Sequence, residues 1–293
     1  MRFTFLGRRW GVAVVATLAI LGAGSASAGY LGECGDGVCN SHATLESGNF
    51  TFLGGNPTAW DPGVNTARFN NGVPAAGGAT WSVMGAGIGD VSGFDSHGGG
   101  LTGDFAGLLG GASVAMIGQT LDVWAAVSGF TNLGQVADSG AGIGATVANG
   151  GHIGDIRVGL IAFDVPGAVL AHAYQPGTTT QFGANGSIAG DAHFDSSENW
   201  VDEANDASGD NDFDLFTVML HEMGHALGLG HSDDPNAVMY AFYGGGRRTL
   251  SADDIAGIQA IYGPNQNPIP EPATLTLLGL GLAGLAYRRR KSA

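Results

Sequence analysis

The clearest amphipathic pattern lies near the C-terminal end of the chain. Ile255, Ile258 and Ile261 recur at three-residue intervals, and Tyr262 extends the same apolar face. This spacing places the four side chains on one side of a helix. Ser251 is a favourable N-cap, and the two aspartates that follow it suit the positive start of a helix. The pattern therefore predicts a closing helix with one buried face.

Other segments predict a mixture of helices and strands. One helix is predicted at residues 113–128, and another is expected to begin near Asp212–Asp214, whose carboxylates suit the positive end of a helix. A glycine-rich insertion at 85–112 is expected to form either a flap near a cleft or a surface loop. Strands are predicted at 79–84, 130–137, 155–163, 168–174 and 191–195.

The second of these helices carries histidines at helical spacing. His221 and His225 are four residues apart, so both project from one helix face. Gly228 can end the helix by adopting a positive φ, which turns His231 back towards the same point. Three neutral histidine nitrogens with one open position form a catalytic zinc site. Glu222 is then the predicted general base and acid, because zinc lowers the pKa of bound water towards neutrality.

These residues, followed by Ser232 and by Asn236–Tyr240, resemble the matrixins, the metzincin zinc proteases that include the matrix metalloproteinases. The resemblance covers about residues 115–264, and in it Met239 matches the methionine of the turn beneath the zinc ligands. It implies an α+β metzincin fold with a twisted, mostly parallel sheet, an antiparallel edge strand, a zinc-binding active-site helix and a C-terminal helix. It also implies a secreted zinc metalloendopeptidase of the M10 type.

Substrate-binding residues follow from the same resemblance. In matrixins an extended peptide pairs with the edge strand of the sheet and inserts one side chain into a pocket beside the zinc. Leu170 and Ala171 match that strand, and Tyr240 and Tyr243 match the pocket wall. Thr217, one helical turn before His221, is expected to shape the pocket floor. Backbone pairing gives affinity with little sequence information, while the pocket supplies preference. The expected partner is therefore a protein or peptide substrate.

Four residues match further metal ligands of the family. His172 and His193 match ligands of a second, structural zinc ion, and Asp195 and Glu198 match calcium carboxylates. Only residues 163–167 separate the two neighbouring strands here, so the long loop that supplies the remaining ligands is missing or shortened. Two histidines make an incomplete tetrahedral site. A second zinc or a calcium ion is thus a candidate, and solvated acids at a strand end are the alternative.

The chain has two cysteines, Cys34 and Cys39, separated by four residues. An even pair in an exported protein favours a small disulfide. The alternative is a free Cys34 thiolate that blocks the zinc, although the Pro-Arg-Cys-Gly context of latent matrix metalloproteinases is absent.

Both ends of the chain carry targeting patterns. Residues 1–28 predict a signal peptide, with a basic start, an apolar run and a small-residue cleavage site. Residues 265–293 contain Pro270-Glu271-Pro272, a short apolar helix and a basic end, which resembles a PEP-CTERM sorting signal of Gram-negative bacteria. The expected partners are export and sorting machinery, with transient membrane association through this tail. The alternative is a single-pass tail anchor. We expect an extracellular location, at the cell surface or in the exopolysaccharide matrix.

Composition limits the remaining classes of function. The chain has a net charge of −15 and few lysines or arginines, and we predict no basic patch between the two signals that could neutralise phosphates, which argues against nucleic acid as a partner. About 240 residues remain between the two signals, enough for one domain with additions. We divide them into an irregular N-terminal extension at 29–75 and a catalytic domain at 76–264. The alternative function is a non-catalytic or narrowly self-processing surface or biofilm matrix protein.

Overall fold

A computed structural model describes residues 30–31, 50–52, 58–61, 67–69, 74–90, 100–145, 154–162, 165–177, 188–206 and 211–266. The predicted signal peptide, both cysteines and the sorting signal beyond residue 266 lie outside the described residues, as do 91–99 in the glycine-rich insertion. In the described part of the chain, no helix is both long and apolar enough to cross a membrane.

The described residues form twelve short or medium strands, three α-helices and one 3-10 helix. The 3-10 helix, at Phe105–Gly111, leads directly into the first α-helix. The helices are α1 (Ala112–Val127), α2 (Leu215–Ala226) and α3 (Ala252–Tyr262). The strands are β1 (Tyr30–Leu31), β2 (Phe50–Phe52), β3 (Thr58–Trp60), β4 (Ala67–Phe69), β5 (Gly77–Val83), β6 (Phe130–Gln135), β7 (Ile156–Ile161), β8 (Val169–Ala173), β9 (Asp191–Asp195), β10 (Trp200–Val201), β11 (Phe213–Asp214) and β12 (Leu229–Ser232).

One six-stranded sheet, in the order β1-β8-β9-β7-β5-β6, forms the centre of the fold. Strands β6, β5, β7 and β9 run parallel to one another, and β8 runs antiparallel to β9. The predicted α+β architecture with a mostly parallel sheet and an antiparallel strand on its flank is confirmed. The outer side of β8 is occupied by β1, which pairs with it in parallel.

The helices bury their apolar faces against one another and the sheet. Trp124 of α1 is fully buried, and its indole N–H donates to the Leu220 carbonyl of α2 at 3.0 Å. In α3 the side chains of Ile258, Ile261 and Tyr262 are buried as the periodicity predicts. The N-terminal end of α3 is closed by the predicted Ser251 cap, which accepts from the Asp254 N–H.

Strand β5 begins two residues earlier than predicted. Glycine at position 77 has little strand propensity, but the Trp60 carbonyl lies where a Cβ at Gly77 would be. The close approach of β3 therefore selects glycine at this position, which the local pattern could not indicate.

The predicted irregular extension at 29–75 contributes the four strands β1 to β4. Strand β3 is buried along its whole length and pairs antiparallel with β4. Strand β2 pairs antiparallel with β12, which follows the histidine-bearing helix. The division between an extension and a catalytic domain near residue 75 stays a prediction, and these pairings show how closely the two parts are joined.

Candidate metal centre

Helix α2 begins and ends where its sequence predicts. The Asp214 carboxylate caps it by accepting from the Thr217 N–H at 3.1 Å. At the other end, Gly228 has a φ of 106°, a backbone conformation that residues with a Cβ rarely adopt. The chain then turns directly into β12, which carries His231. The helix and the glycine turn together place three imidazoles at one point.

The three histidines are arranged as a set of metal ligands. One ring nitrogen from each of His221, His225 and His231 lies within 4.8 Å of the other two. The Nε2 atoms of His225 and His231 are 3.3 Å apart. Two nitrogens bound to one tetrahedral zinc ion at 2.0–2.1 Å are separated by about 3.3 Å, so this distance fits the ion.

Backbone carbonyls fix the orientation of the two helical histidines. Nδ1 of His221 donates to the Val238 carbonyl at 2.7 Å, and Nδ1 of His225 donates to the Leu229 carbonyl at 2.8 Å. These bonds leave Nε2 without a hydrogen and directed to the centre of the cluster. Among the described residues, the buried Nε2 of His221 has no hydrogen-bond partner, as expected for a ligand atom.

Burial keeps the helical imidazoles in the neutral form. It lowers the pKa of His221 well below its ordinary value, and the neighbouring His225 and His231 lower it further. Burial and then the nearby His231 lower the pKa of His225 to about 3. Only neutral imidazole binds a metal ion, so these side chains need not lose a proton to act as ligands near neutral pH.

Glu222 is fully buried beside the first histidine. Neither carboxylate oxygen has a hydrogen-bond partner among the described residues, and burial raises the pKa of this carboxyl well above its usual range. An isolated buried carboxylate is costly unless it is protonated or compensated by a cation. Because Glu222 directly follows His221 in α2, this environment fits a proton-transferring acid that accompanies a metal ion.

The predicted methionine turn lies directly beneath the cluster. Met239 is buried, and its sulfur occupies the space that a Cβ at Gly224 of α2 would require. The missing side chain at Gly224 thus lets the turn approach the helix between the two ligands. The Ser232 N–H donates to the Met239 carbonyl at 2.8 Å, which ties the end of β12 to the same turn.

Asp254 is a supporting residue whose role sequence reasoning did not find. Its carboxylate accepts from the N–H groups of Val238 at 2.8 Å and Met239 at 3.0 Å. It also accepts from the Ser251 N–H at 2.7 Å. Because the Val238 carbonyl orients His221, Asp254 acts on the ligand through the turn. Its place in the first turn of α3 indicated only a helix-start role.

The two histidines matched to a second zinc ion also meet. Nε2 of His172 lies 3.0 Å from Nδ1 of His193, and Nε2 of His193 lies 3.9 Å from an Asp191 carboxylate oxygen. A separation of 3.0 Å fits a hydrogen bond between the two rings. In the described part of the chain, the one group of three or more metal-ligating side chains is the His221, His225 and His231 cluster. The described residues therefore do not supply a complete second site.

The carboxylates matched to calcium have local partners. Asp195 accepts from the Ser197 N–H at 2.8 Å and from the Ser197 hydroxyl at 3.0 Å. Glu198 accepts from the Gly167 N–H at 2.7 Å. These bonds close the strand end and the short turn before β8. Both side chains are buried, so the alternative of solvated acids at a strand end is wrong. Calcium binding stays a prediction.

The residues matched to the substrate cleft have different environments. Leu170 and Ala171 are fully buried within β8, whereas Tyr240 is partly exposed after the methionine turn. The Tyr243 side chain is buried, and its hydroxyl contacts the Asp206 carboxylate.

Thr217 joins the start of α2 to the segment that follows the methionine turn. Its hydroxyl donates to Asp214 at 2.6 Å and accepts from the Arg247 N–H at 2.6 Å. The Arg247 guanidinium in turn donates to the Ala237 carbonyl at 2.6 Å. The segment after the methionine turn is therefore attached to α2 at the position expected for the pocket floor. Arg247 carried no signal in the sequence that pointed to this contact.

Comparison with known families agrees with this architecture. The family described as Matrixin matches residues 110–263, more than half of the chain. The chain belongs to the matrixin family. A second match, to the PEP-CTERM protein-sorting motif, covers residues 268–291.

Mammalian matrixins are similar to this chain over part of their length. Interstitial collagenase of Bos taurus is 51% identical over 107 residues, which cover 36% of this chain and 20% of the collagenase. Matrilysin of Homo sapiens is 48% identical over 108 residues, 36% of each protein. Stromelysin-1 of Rattus norvegicus is 41% identical over 165 residues, 55% of this chain and 30% of the stromelysin. The chain thus spans about a third or less of these relatives.

Proposed function

We propose that this matrixin is a zinc-dependent endopeptidase in which His221, His225 and His231 bind the metal and Glu222 transfers the proton. The observation that carries the proposal is the convergence of three imidazoles beside a buried carboxylate whose oxygens have no hydrogen-bond partner among the described residues. Similarity to collagenases, matrilysin and stromelysin supports the same reaction class. Met239 supports the ligands from below.

A zinc ion held by this cluster would supply a Lewis acid and lower the pKa of a nearby water molecule. Glu222 takes a proton from that water as its oxygen attacks the peptide carbonyl, and then gives the proton to the leaving amine. Burial raises the pKa of the Glu222 carboxyl, which makes its carboxylate a stronger proton acceptor, and a cation at the cluster would favour the carboxylate form. The Val238 and Leu229 carbonyls hold the two helical imidazoles in place during the reaction.

The first test combines metal removal with zymography. We expect casein cleavage by the purified protein to fall at least about a hundredfold after chelation and to return with one equivalent of zinc per chain. In cell fractions, the activity is expected in the medium and at the surface, because the sorting motif at 268–291 supports export.

Three outcomes would contradict parts of this proposal. Unchanged cleavage after complete metal removal would exclude zinc catalysis. Metal binding without cleavage of any peptide would favour the non-catalytic matrix protein. A requirement for two equivalents would favour a second zinc ion, for which His172 and His193 are the candidate ligands.

We further propose that β8 pairs with the extended peptide substrate, as the resemblance implies. In the structure its outer side pairs with β1 in parallel, with Tyr30 opposite Val169 and Leu31 opposite Ala171. A peptide can therefore use this edge only when β1 leaves it. Residues 30–31 then act as a built-in competitor of substrate, because one edge cannot pair with two strands.

Replacing Leu31 by proline tests this competition. Proline fixes φ and has no backbone N–H, both of which disfavour strand pairing, so β1 is expected to leave β8. The expected result is a KM for peptide substrate lowered by about threefold to tenfold, with an unchanged kcat. Leu31→Ala, which keeps the N–H, is the matched control. An unchanged KM in the proline variant would show that β1 does not limit access.

A further inference from the structure

Strand β3 reaches the end of the metal-binding helix through one side chain. Trp60 is almost fully buried, and its indole N–H donates to the Ala226 carbonyl at 2.9 Å. Ala226 is the last residue of α2 and directly follows His225. The last carbonyls of a helix have no partner within it, so an external donor fixes the helix end.

A second bond joins β3 to the same helix end. The Trp60 backbone N–H donates to the Tyr262 hydroxyl at 3.1 Å, and that hydroxyl donates to the Leu227 carbonyl at 3.1 Å. Two successive carbonyls after His225 are thus held by β3 and α3. The first lies at the end of α2 and the second in the short connection that leads to His231.

The glycine turn is also in contact with β3. A Cβ at Gly228 would collide with the Thr58 carbonyl, so the backbone of β3 lies directly against the turn. Two independent constraints therefore require glycine at position 228: the positive φ and the close approach of the Thr58 carbonyl. The direction in which the chain leaves the turn depends on where β3 lies.

Strand β12, which carries His231, pairs with β2. In the antiparallel pairing Leu229 lies opposite Phe52, and Ser232 lies opposite Phe50. His231 lies between these two paired positions. Backbone pairing on both sides of a residue limits the positions its Cα can take. The extension thus restrains His231 on the strand as well as at the turn before it.

We propose that Trp60 is a positioning residue of the metal centre and that Trp60 with β2 holds His231 in the ligand set. These residues precede the region that matches the matrixin family, which begins at residue 110. Strands β2 and β3 are accordingly part of the working site and not of a removable extension. The inference rests on the zinc site proposed above.

The test uses full-length variants that lack the indole N–H of residue 60. Trp60→Phe and a variant with benzothienylalanine at position 60 both lose this donor, and the second keeps the shape of the indole. We expect the zinc dissociation constant to rise about tenfold in both, because a displaced third ligand weakens binding. In the cobalt-substituted protein the visible absorption bands should shift, and kcat should fall with little change in KM.

Trp81→Phe is the matched control. Trp81 is a buried tryptophan of β5 whose indole N–H has no hydrogen-bond partner among the described residues. The Trp81→Phe substitution is expected to lower the unfolding midpoint slightly and to leave the zinc affinity and the cobalt spectrum unchanged. Comparison of the two tryptophans separates positioning of the metal ligand from general packing.

The outcomes distinguish this inference from the proposed function. If the parent protein binds zinc and cleaves peptide, but both position-60 variants keep its zinc affinity and cobalt spectrum, Trp60 does not position His231. If Trp60→Phe does not fold, the benzothienylalanine variant decides the question by the same readouts. If the parent protein itself binds no zinc, the proposed function fails first.

Discussion

Replacing Glu222 by glutamine is expected to lower kcat by about 10²–10⁴-fold while the protein keeps one zinc ion per chain. Glutamine has nearly the shape of glutamate but cannot accept the proton of the attacking water. The ligand nitrogens belong to other residues, so metal affinity should change little. The measurement is the rate of peptide cleavage together with the zinc content of the same preparation.

Glu203→Gln is the matched control for this variant. Glu203 is an exposed glutamate on the segment before α2, and its backbone N–H contacts Asp214 at 3.1 Å. Loss of this surface charge should leave kcat within about twofold of the parent. Cleavage by Glu222→Gln at a rate near that of the parent would remove Glu222 from the proposed mechanism.

The local geometry of the metal centre could be predicted because its signals lie within eleven residues. The spacing of His221 and His225 follows from the helical period alone. Gly228 ends the helix because positive φ is accessible to glycine, and its φ of 106° agrees with that reasoning. Helix α3 could be predicted equally well from the sequence, because one N-cap and one apolar face define it.

The contacts that hold the ends of the metal-binding segment could not be predicted, because they join residues that are far apart in the sequence. Trp60 and Ala226 are separated by 166 positions, and their bond uses an ordinary indole and a backbone carbonyl. A three-residue strand such as β2 is too short to show a hydrophobic period. Sequence reasoning therefore described this part of the chain as irregular.

The short turn before β8 shows a different limit of sequence reasoning. The missing loop indicated that calcium ligands were lost, but it did not indicate what takes their place. In the structure Glu198 bonds directly to the Gly167 N–H at 2.7 Å. A carboxylate that matches a metal ligand here stabilises the backbone of the shortened turn.

Asp254→Asn is expected to lower the free energy of unfolding by about 2–4 kcal/mol and to weaken zinc binding at the same time. The two carboxylate oxygens of Asp254 accept three N–H groups, from Val238, Met239 and Ser251. An amide has one oxygen, so at least one buried N–H would face an NH₂ group and lose its acceptor. The turn beneath the ligands should then loosen, and with it the Val238 carbonyl that orients His221.

The neighbouring Asp253→Asn provides the comparison that isolates this effect. Asp253 is only partly buried and accepts from the Ser232 hydroxyl at 2.6 Å, a role that an amide oxygen can also fill. The free energy of unfolding of the Asp253→Asn variant should differ from that of the parent by less than about 1 kcal/mol. Urea unfolding and chelator competition on both variants measure the two quantities. Equal losses in the two variants, or a stable Asp254→Asn with unchanged zinc affinity, would mean that the methionine turn does not depend on this carboxylate.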